Sequence, residues 1–270
     1  MGSLRIIVAG PGRAGGSILL AAASAGHEIV GAVARRPRSV PAGMPAIAWD
    51  HPLPPCDLLV VAVRDDAIEA LAGRLADLEA SYDVACHLSG FTPVSALWSL
   101  GPRIGSLHPL QTLPDPDRGS EALAGAWAAI TAEDPEVEDV LGGFARSLGM
   151  RPFLLDDRHK PTYHAASAAA SNYVVEALGV AADLFGEAGV PFEAARPLTE
   201  AVVRNVFDGG AGAALTGPVA RADIPTVAGH LRAARAVSPS LGRQVAALVE
   251  ATALRAGTHD QIFPVLGGSA

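Results

Sequence analysis

Through the first half of the chain, short runs of aliphatic and β-branched residues recur between glycines, prolines and polar turns. Residues 4–9 (LRIIVA), 27–34 (HEIVGAVA) and 57–63 (DLLVVAV) carry little polar relief, as strands buried on both faces do. Residues 84–88, 103–107, 127–131 and 152–155 continue the series, and residues 46–49 add a short strand among prolines. A small-residue helix is predicted over residues 17–25, stopped by Gly26. Asp65 or Asp66 is placed to cap the helix after the 57–63 strand. Asp134-Pro135 should open another helix, with Gly149 closing it. Strands alternating with helices in this way predict a mostly parallel sheet covered on both faces.

After residue 156 the strand signal stops. Residues 161–188 read as one long helix, with Val174, Val175, Leu178, Ala181, Ala182 and Phe185 recurring at helical spacing. Further helices are predicted over residues 193–207, 219–222 and 227–256. Thr216 is expected to cap a helix with Pro218 in its first turn, and His230 to pack among the helices. The pattern divides the chain into an α/β domain over residues 1–156 and an all-helical domain over residues 157–270.

Gly10-Pro11-Gly12-Arg13-Ala14-Gly15 forms a G-x-G-x-x-G directly after the first strand, opening the first helix. In such a turn Gly10 allows the tight bend, Gly12 lets the backbone approach a pyrophosphate, and Gly15 lets helix and strand pack closely. The helix start adds unpaired N–H groups aimed at the phosphates. With 29 glycines in the chain the motif alone is weak; its place at the first β–α turn makes it specific. It predicts a Rossmann domain, doubly wound and mostly parallel, followed by the all-helical domain. Gly10, Pro11, Gly12, Arg13, Ala14 and Gly15 would line the dinucleotide, with Val63 at the end of the 57–63 strand beside them. A glycine turn of purely structural purpose is the alternative.

NAD-specific sites place Asp or Glu at the end of the second strand to hold the ribose hydroxyls. Here that segment reads Ala34-Arg35-Arg36-Pro37-Arg38-Ser39, without a carboxylate. Arg35, Arg36 and the Ser39 hydroxyl suit a 2′-phosphate, which guanidinium grips through paired charge-assisted hydrogen bonds. This points to NADP(H); a solvated basic turn is the other reading.

Composition narrows the function classes. Hydrophobic residues make up 50% of the chain and charged residues 18%, as in a well-buried globular protein. A formal charge of −8 argues against nucleic acid or an anionic membrane as partner. No apolar run reaches the roughly 20 residues that span a bilayer, and the N-terminus lacks the features of a signal peptide. Cys56 and Cys86 offer neither a disulfide framework nor metal-ligand spacing, which fits a reducing cytoplasm.

Several further segments follow one another along the chain: His87-Leu88-Ser89-Gly90, Ser106-Leu107-His108-Pro109-Leu110-Gln111-Thr112, Lys160-x-x-Tyr163-His164, Ser171-Asn172-Tyr173 and Ala214-Leu215-Thr216-Gly217-Pro218-x-x-Arg221-x-Asp223. With the glycine loop, they resemble a bacterial family joining a Rossmann-like NAD(P)-binding domain to a helical C-terminal domain of unknown function. The resemblance covers nearly the whole chain. That family is similar to a branch of the 6-phosphogluconate dehydrogenase-like (β-hydroxyacid dehydrogenase) superfamily, which includes ketopantoate reductase, prephenate dehydrogenase, pyrroline-carboxylate reductase and imine reductases. The resemblance implies an NADP-dependent oxidoreductase passing hydride from NADPH to a small carbonyl substrate, such as a ketopantoate-like 2-oxo acid. Imine reduction is one alternative, and a non-catalytic NADP-binding sensor or partner-binding protein is another. A homodimer is expected, from the resemblance and from the many small apolar residues of the helical half.

Much of that superfamily uses a lysine as proton donor, in a K-x-x-x-N pattern on the first helix after the Rossmann domain. The matching residues are Lys160 and His164, so histidine replaces asparagine, and either side chain could be the donor. Ser167 and Ser171 continue the stripe at helical spacing; an exposed polar face is the plainer reading. His108 follows the 103–107 strand and so falls at the carboxyl edge of the sheet, where ligands bind. Prephenate dehydrogenases carry a similar His-Pro facing substrate. Ser89 could bind substrate or the nicotinamide amide, or only form a Ser-Gly turn. Ser171 and Asn172 complete the expected substrate contacts, in a cleft between the domains.

Overall fold

The computed structural model describes residues 2–36, 40–78 and 81–266. The chain forms two compact units, Met1–Ala168 and Ala169–Ala270. The division falls after the 156/157 boundary that the sequence pattern suggests, because the start of the helix following the sheet packs back on the sheet.

The first unit holds β1 (Arg5–Ala9), β2 (Glu28–Ala34), β3 (Ala46–Ala48), β4 (Cys56–Val61), β5 (Tyr82–His87), β6 (Ile104–Leu110), β7 (Trp127–Ala132) and β8 (Arg151–Leu154). They form one sheet in the order β3-β2-β1-β4-β5-β6-β7-β8. Neighbours run parallel except β6 and β7, which are antiparallel. The order reverses between β1 and β4, the crevice where open α/β sheets take ligands. Its helices are α1 (Arg13–Ser24), α2 (Ile68–Asp77), α3 (Pro116–Ala122), α4 (Pro135–Ser147) and α5 (Lys160–Ala170), the last ending in the second unit.

Alternation along the strands builds two cores. Ile6, Val8, Leu58, Val60, Val84, Cys86 and Leu107 pack on one face against Ile18 and Leu19 of α1 and Phe144 of α4. Ile7, Ala9, Leu59, Val61 and Ala85 pack on the other against Leu71 and Leu75 of α2 and Leu97 of a 3-10 stretch, Val94–Leu100. Asp134 caps α4 as predicted, accepting from the Glu136 N–H at 2.8 Å. Neither Asp65 nor Asp66 caps α2: they enter a 3-10 turn, Asp65–Ala67, and Asp66 pairs with Arg64 at 2.9 Å. The short helix α3 was not predicted; it lies against α1, where a Cβ on Gly16 would meet Pro116 at 2.8 Å.

The second unit contains α6 (Asn172–Glu187), α7 (Arg196–Gly209), α8 (Ala211–Ala214), α9 (Ile224–Val237), α10 (Pro239–Ala256) and α11 (His259–Leu266). The single helix expected over residues 161–188 breaks at Ser171, whose φ of −127° and ψ of −78° are not helical. Likewise Ser238 divides 227–256 into α9 and α10, because its hydroxyl accepts from the Leu241 N–H at 3.1 Å and Pro239 begins the next helix. Thr216 and residues 219–222 stay in turns; the cap of α9 is Asp223. His230 is exposed rather than packed, and α11 was not predicted. Val180, Val227, Leu231, Leu241, Val245, Val249 and Ile262 make the core of this unit. In contrast α7 buries no residue fully, and Tyr173, Val175, Leu198 and Phe207 are largely exposed, Phe207 at 86%. Among the described residues, no helix is long and apolar enough to cross a membrane.

Phe144 is fully buried at the centre of the first core. Phe144→Ala should therefore destabilise the first unit by about 3–5 kcal/mol. All three tryptophans, Trp49, Trp98 and Trp127, lie in that unit, so urea denaturation followed by tryptophan fluorescence reads it directly; a shift under about 1 kcal/mol would mean this core is not packed as described.

Candidate active site

The glycine turn follows β1 at the carboxyl edge of the sheet. Gly10 has a φ of +100°, open to glycine at little cost, and its N–H donates to Val33 O at 3.0 Å. A Cβ there would meet Ala62 O at 2.5 Å and the Val63 side chain at 2.7 Å, so Val63 packs on the turn. A Cβ on Gly15 would run into Gly10 O and come within 2.9 Å of Ala62, which is the close helix–strand approach predicted. Gly12 differs: nothing lies within 4 Å of where its Cβ would be. Helix α1 starts there with no side-chain cap and no acidic residue in its first turn. Space above Gly12 and uncapped backbone donors together fit a pyrophosphate. Pro11 is buried, Ala14 half-buried and Arg13 exposed. At the end of β2, Arg35 and Arg36 are both exposed; Ser39 lies outside the described residues.

A second cluster occupies the same edge at β5 and β6. His87 and Ser106 are register partners, and Ser106 is paired in turn with Thr131. By alternation Ser106 and His108 lie on the face of Ile104, opposite Leu107. Lys160, the first residue of α5, inserts here and is only 1% exposed. Its ammonium donates to Ser106 Oγ at 2.8 Å and lies 3.6 Å from Asp157 Oδ1. Asp157 also accepts from the Val94 N–H, at 3.2 and 3.3 Å to its two oxygens. Burial holds Lys160 down to about 8, against the upward pull of Asp157 and Asp65.

One turn along α5, Tyr163 and His164 approach His108. The Tyr163 hydroxyl lies 2.7 Å from His108 Nδ1. Burial pushes the Tyr163 phenol up to about 12 and, with the charges of His164 and Lys160, His108 down to about 4. At neutral pH both groups are therefore uncharged and share one hydrogen bond, its direction set by the imidazole tautomer. The His108 ring presses on Gly90, where a Cβ would come within 2.8 Å of it. His87 is fully buried; its Nδ1 accepts from the Ser89 N–H at 3.1 Å, and its Nε2 finds no hydrogen-bond partner of good geometry among the described residues. Burial first, then the Lys160 charge, hold His87 down to about 3, with the Pro93 carbonyl acting against them. Aromatic rings run on from this pair in both directions. Tyr163 faces Phe153 at 6.0 Å, His108 faces His164 at 6.1 Å, and His164 faces Phe91 at 5.8 Å between centroids.

The structure brings Lys160, His164 and His108 together, with Ser167 half-buried on α5. Ser89 takes the turn-forming role: its hydroxyl accepts from the N–H groups of Phe91 and Thr92 at 3.1 and 2.9 Å. Ser171 is half-buried and Asn172 exposed, and both belong to the second unit. Tyr163, Ser106, Asp157 and His87 gain places that sequence reasoning did not give them. Tyr163, Ser106 and His87 stood inside the recognised motifs, but only strand register and helix phase show which of them meet.

Residues 126–253 match the family described as a domain of unknown function, DUF2520. No curated protein matches the sequence. Among solved structures, a Bacteroides fragilis protein assigned as an NADP oxidoreductase is similar, with a TM-score of 0.81 at 23% identity over 96% of this chain and 98% of that one. An imine reductase from Streptomyces aurantiacus gives 0.66 at 15% identity, over 97% and 98%. A pyrroline-5-carboxylate reductase from Coxiella burnetii gives 0.59 at 17%, over 95% and 98%. At these identities the likeness is one of fold.

Histidines held neutral when folded make the first unit acid-sensitive. In the unfolded chain His87 and His108 take up a proton as pH falls through about 6.5, whereas folded they resist until about 3 and about 4. Their share of stability is complete above pH 6.5 and is lost on acidification toward those values. Each adds up to one proton to the slope, about 1.4 kcal/mol per pH unit. Urea midpoints between pH 7 and 4.5 should fall less steeply for His108→Gln than for the native chain; equal slopes would mean His108 titrates normally in the fold.

Proposed function

We propose that this chain is an NADPH-dependent reductase delivering a hydride to a small carbonyl compound. What supports it is one sheet edge carrying both requirements. The glycine turn and the Arg35–Arg36 pair flank the β1/β4 crevice, and Lys160, His108, Tyr163 and His164 gather at β5 and β6. The backbone from Gly10 to Gly15 would hold the pyrophosphate, and Arg35 and Arg36 the 2′-phosphate. NADPH, when bound, supplies the hydride.

The chain's own residues then manage the second half of the reduction, the proton that the acceptor oxygen needs. Lys160, at about 8, can release a proton near neutral pH and regain it. Ser106 and Asp157 fix its nitrogen, and Tyr163 fixes the orientation of the His108 ring. His164, half-buried beside His108, is the other candidate acid. Imine reduction is the second reading, favoured by the arc of rings from Phe153 to Phe91. Aromatic faces attract a protonated imine through the ring quadrupole, and the proton requirement is the same.

We further propose a homodimer formed by the second unit. Helix α7 buries no residue fully, and four large apolar side chains of α6 and α7, Tyr173, Val175, Leu198 and Phe207, are each more than 60% exposed. Large apolar side chains left this open on two helices are what a covering second copy would bury. Light scattering across a dilution series should give twice the chain mass, and Phe207→Glu with Val175→Glu should shift it to the monomer. A native monomer above micromolar concentration would count against the pairing.

For catalysis, NADPH absorbance followed against a panel of 2-oxo acids and cyclic imines should reveal turnover with one class. Lys160→Met should keep NADPH affinity within about twofold while turnover drops by roughly two to four orders of magnitude, the usual weight of a general acid. If His164 is the acid instead, His164→Asn and His164→Ala would both lose turnover and Lys160→Met would mainly raise KM. No oxidation with any substrate would favour a non-catalytic NADP-binding protein.

A further inference from the structure

The carboxyl ends of β2 and β3 lie side by side, with Ala34 paired to Ala48. One residue further along each strand come Arg35 and Trp49, and the Arg35 guanidinium carbon lies 5.1 Å from the centre of the Trp49 ring. A second guanidinium, Arg74 of α2, lies 5.4 Å from the same ring centre. Arg74 is anchored as well, since its Nε donates to the Trp49 carbonyl at 3.3 Å. Trp49 itself is half-buried and packs against the core on the α2 face. The nearby carboxylate of Asp50 is hydrogen-bonded to His51 and feels the charge of Arg74.

We infer that Trp49, braced by Arg74, is a positioning residue that selects for the 2′-phosphate by holding Arg35 ready for it. The inference rests on the NADPH reading given above. A free arginine side chain samples many rotamers, and ordering it costs much of what a hydrogen bond returns. A guanidinium held over an indole loses part of that freedom through the ring quadrupole, a contact that does not spend its N–H donors on a hydrogen bond. Arg35 is then left with its edge available for paired hydrogen bonds to phosphate oxygens. Two cations gathered on one ring also repel each other, a cost that a doubly charged anion placed between or beside them relieves. Arg74 has Asp50 as a neighbouring counter-charge, so Arg35 is the cation presented to the ligand and Arg74 the strut. Binding of a cofactor without the 2′-phosphate gains nothing from this arrangement.

The test is calorimetric titration of NADPH, NADH and adenosine 2′,5′-bisphosphate, which needs no turnover. The native chain should bind NADPH at least tenfold more tightly than NADH. Trp49→Leu should cut affinity for NADPH and for the bisphosphate about fivefold, the scale of an exposed cation–π contact, and leave NADH within twofold. Trp49→Phe, which keeps a smaller aromatic face, should restore part of the preference, and Arg74→Gln should lose part of it with the indole intact. Equal losses for NADPH and NADH would mean that Trp49 touches the adenine or supports the fold, and would overturn the proposal. An unchanged preference in Trp49→Leu and Arg74→Gln would overturn it too, while leaving the NADPH reading standing. A native chain that does not prefer NADPH would remove both.

Discussion

A lysine ammonium with 1% of its surface in water must be held by the protein or give up its proton, and much of the first unit is arranged around that requirement. Ser106 on β6 and Asp157 just before α5 hold it, and Asp157 reaches at the same time to the Val94 N–H after β5. One buried charge therefore ties α5, the sheet and the β5–β6 connection together. Because Lys160 is buried while Asp157 stays partly open to water, losing Ser106 or Asp157 would leave a buried ammonium short of partners, which sets the register of α5 on the sheet. Tyr163 and His164 inherit their positions from it, one helical turn along and against His108.

The same scarcity of water determines what these groups can do. A histidine that stays neutral down to about 4 can accept from a phenol that stays protonated up to about 12. In open solvent an imidazole titrates near 6.5 and a phenol near 10, so burial widens the pH range over which both stay neutral. Small residues make the packing possible: any side chain at Gly90 would overlap the His108 ring. Across the sheet the electrostatics change character. The β2 end carries the exposed guanidiniums of Arg35 and Arg36, whereas the β5–β6 end is a drier cluster of hydrogen-bonded, mostly neutral groups. A reduction needs both environments, one to hold a polyphosphate and one to control a single proton.

Local pattern carried most of the α/β architecture. Each of the eight strands corresponds to an apolar run; the inner strands are covered on both faces and so must be apolar, whereas the edge strands β3 and β8 bury no residue and are apolar without that necessity. Where several weak preferences compete, the pattern was less decisive. The helix expected to run from 161 to 188 is interrupted at Ser171, yet nothing in an alanine-rich stretch forbids continuation. Ser238, by contrast, had a readable signal, a hydroxyl ahead of a proline, but helical periodicity on either side concealed it. The α3 segment lacks a strong apolar stripe and lies against α1, but its start had a readable signal of the kind seen at Asp134-Pro135: Asp115 accepts from the Arg118 N–H at 2.9 Å and Pro116 opens the first turn.

The sequence alone determined the glycine turn, its place after β1, the missing carboxylate at the end of β2, and the presence of Lys160, His164 and His108. Glycine spacing and strand order constrain backbone conformation directly, so they can be read without coordinates. Which side chains meet was decided only by the tertiary structure. Ser106 receives Lys160 across 54 positions, and Tyr163 reaches His108 across 55; helix phase and strand register set those contacts together. The same holds for Trp49 and Arg35, neighbours because β2 and β3 run parallel in register. Ser89 shows the limit in reverse. Its residue type suits a substrate contact or a turn equally well, and only the structure shows that two backbone N–H groups point at its oxygen.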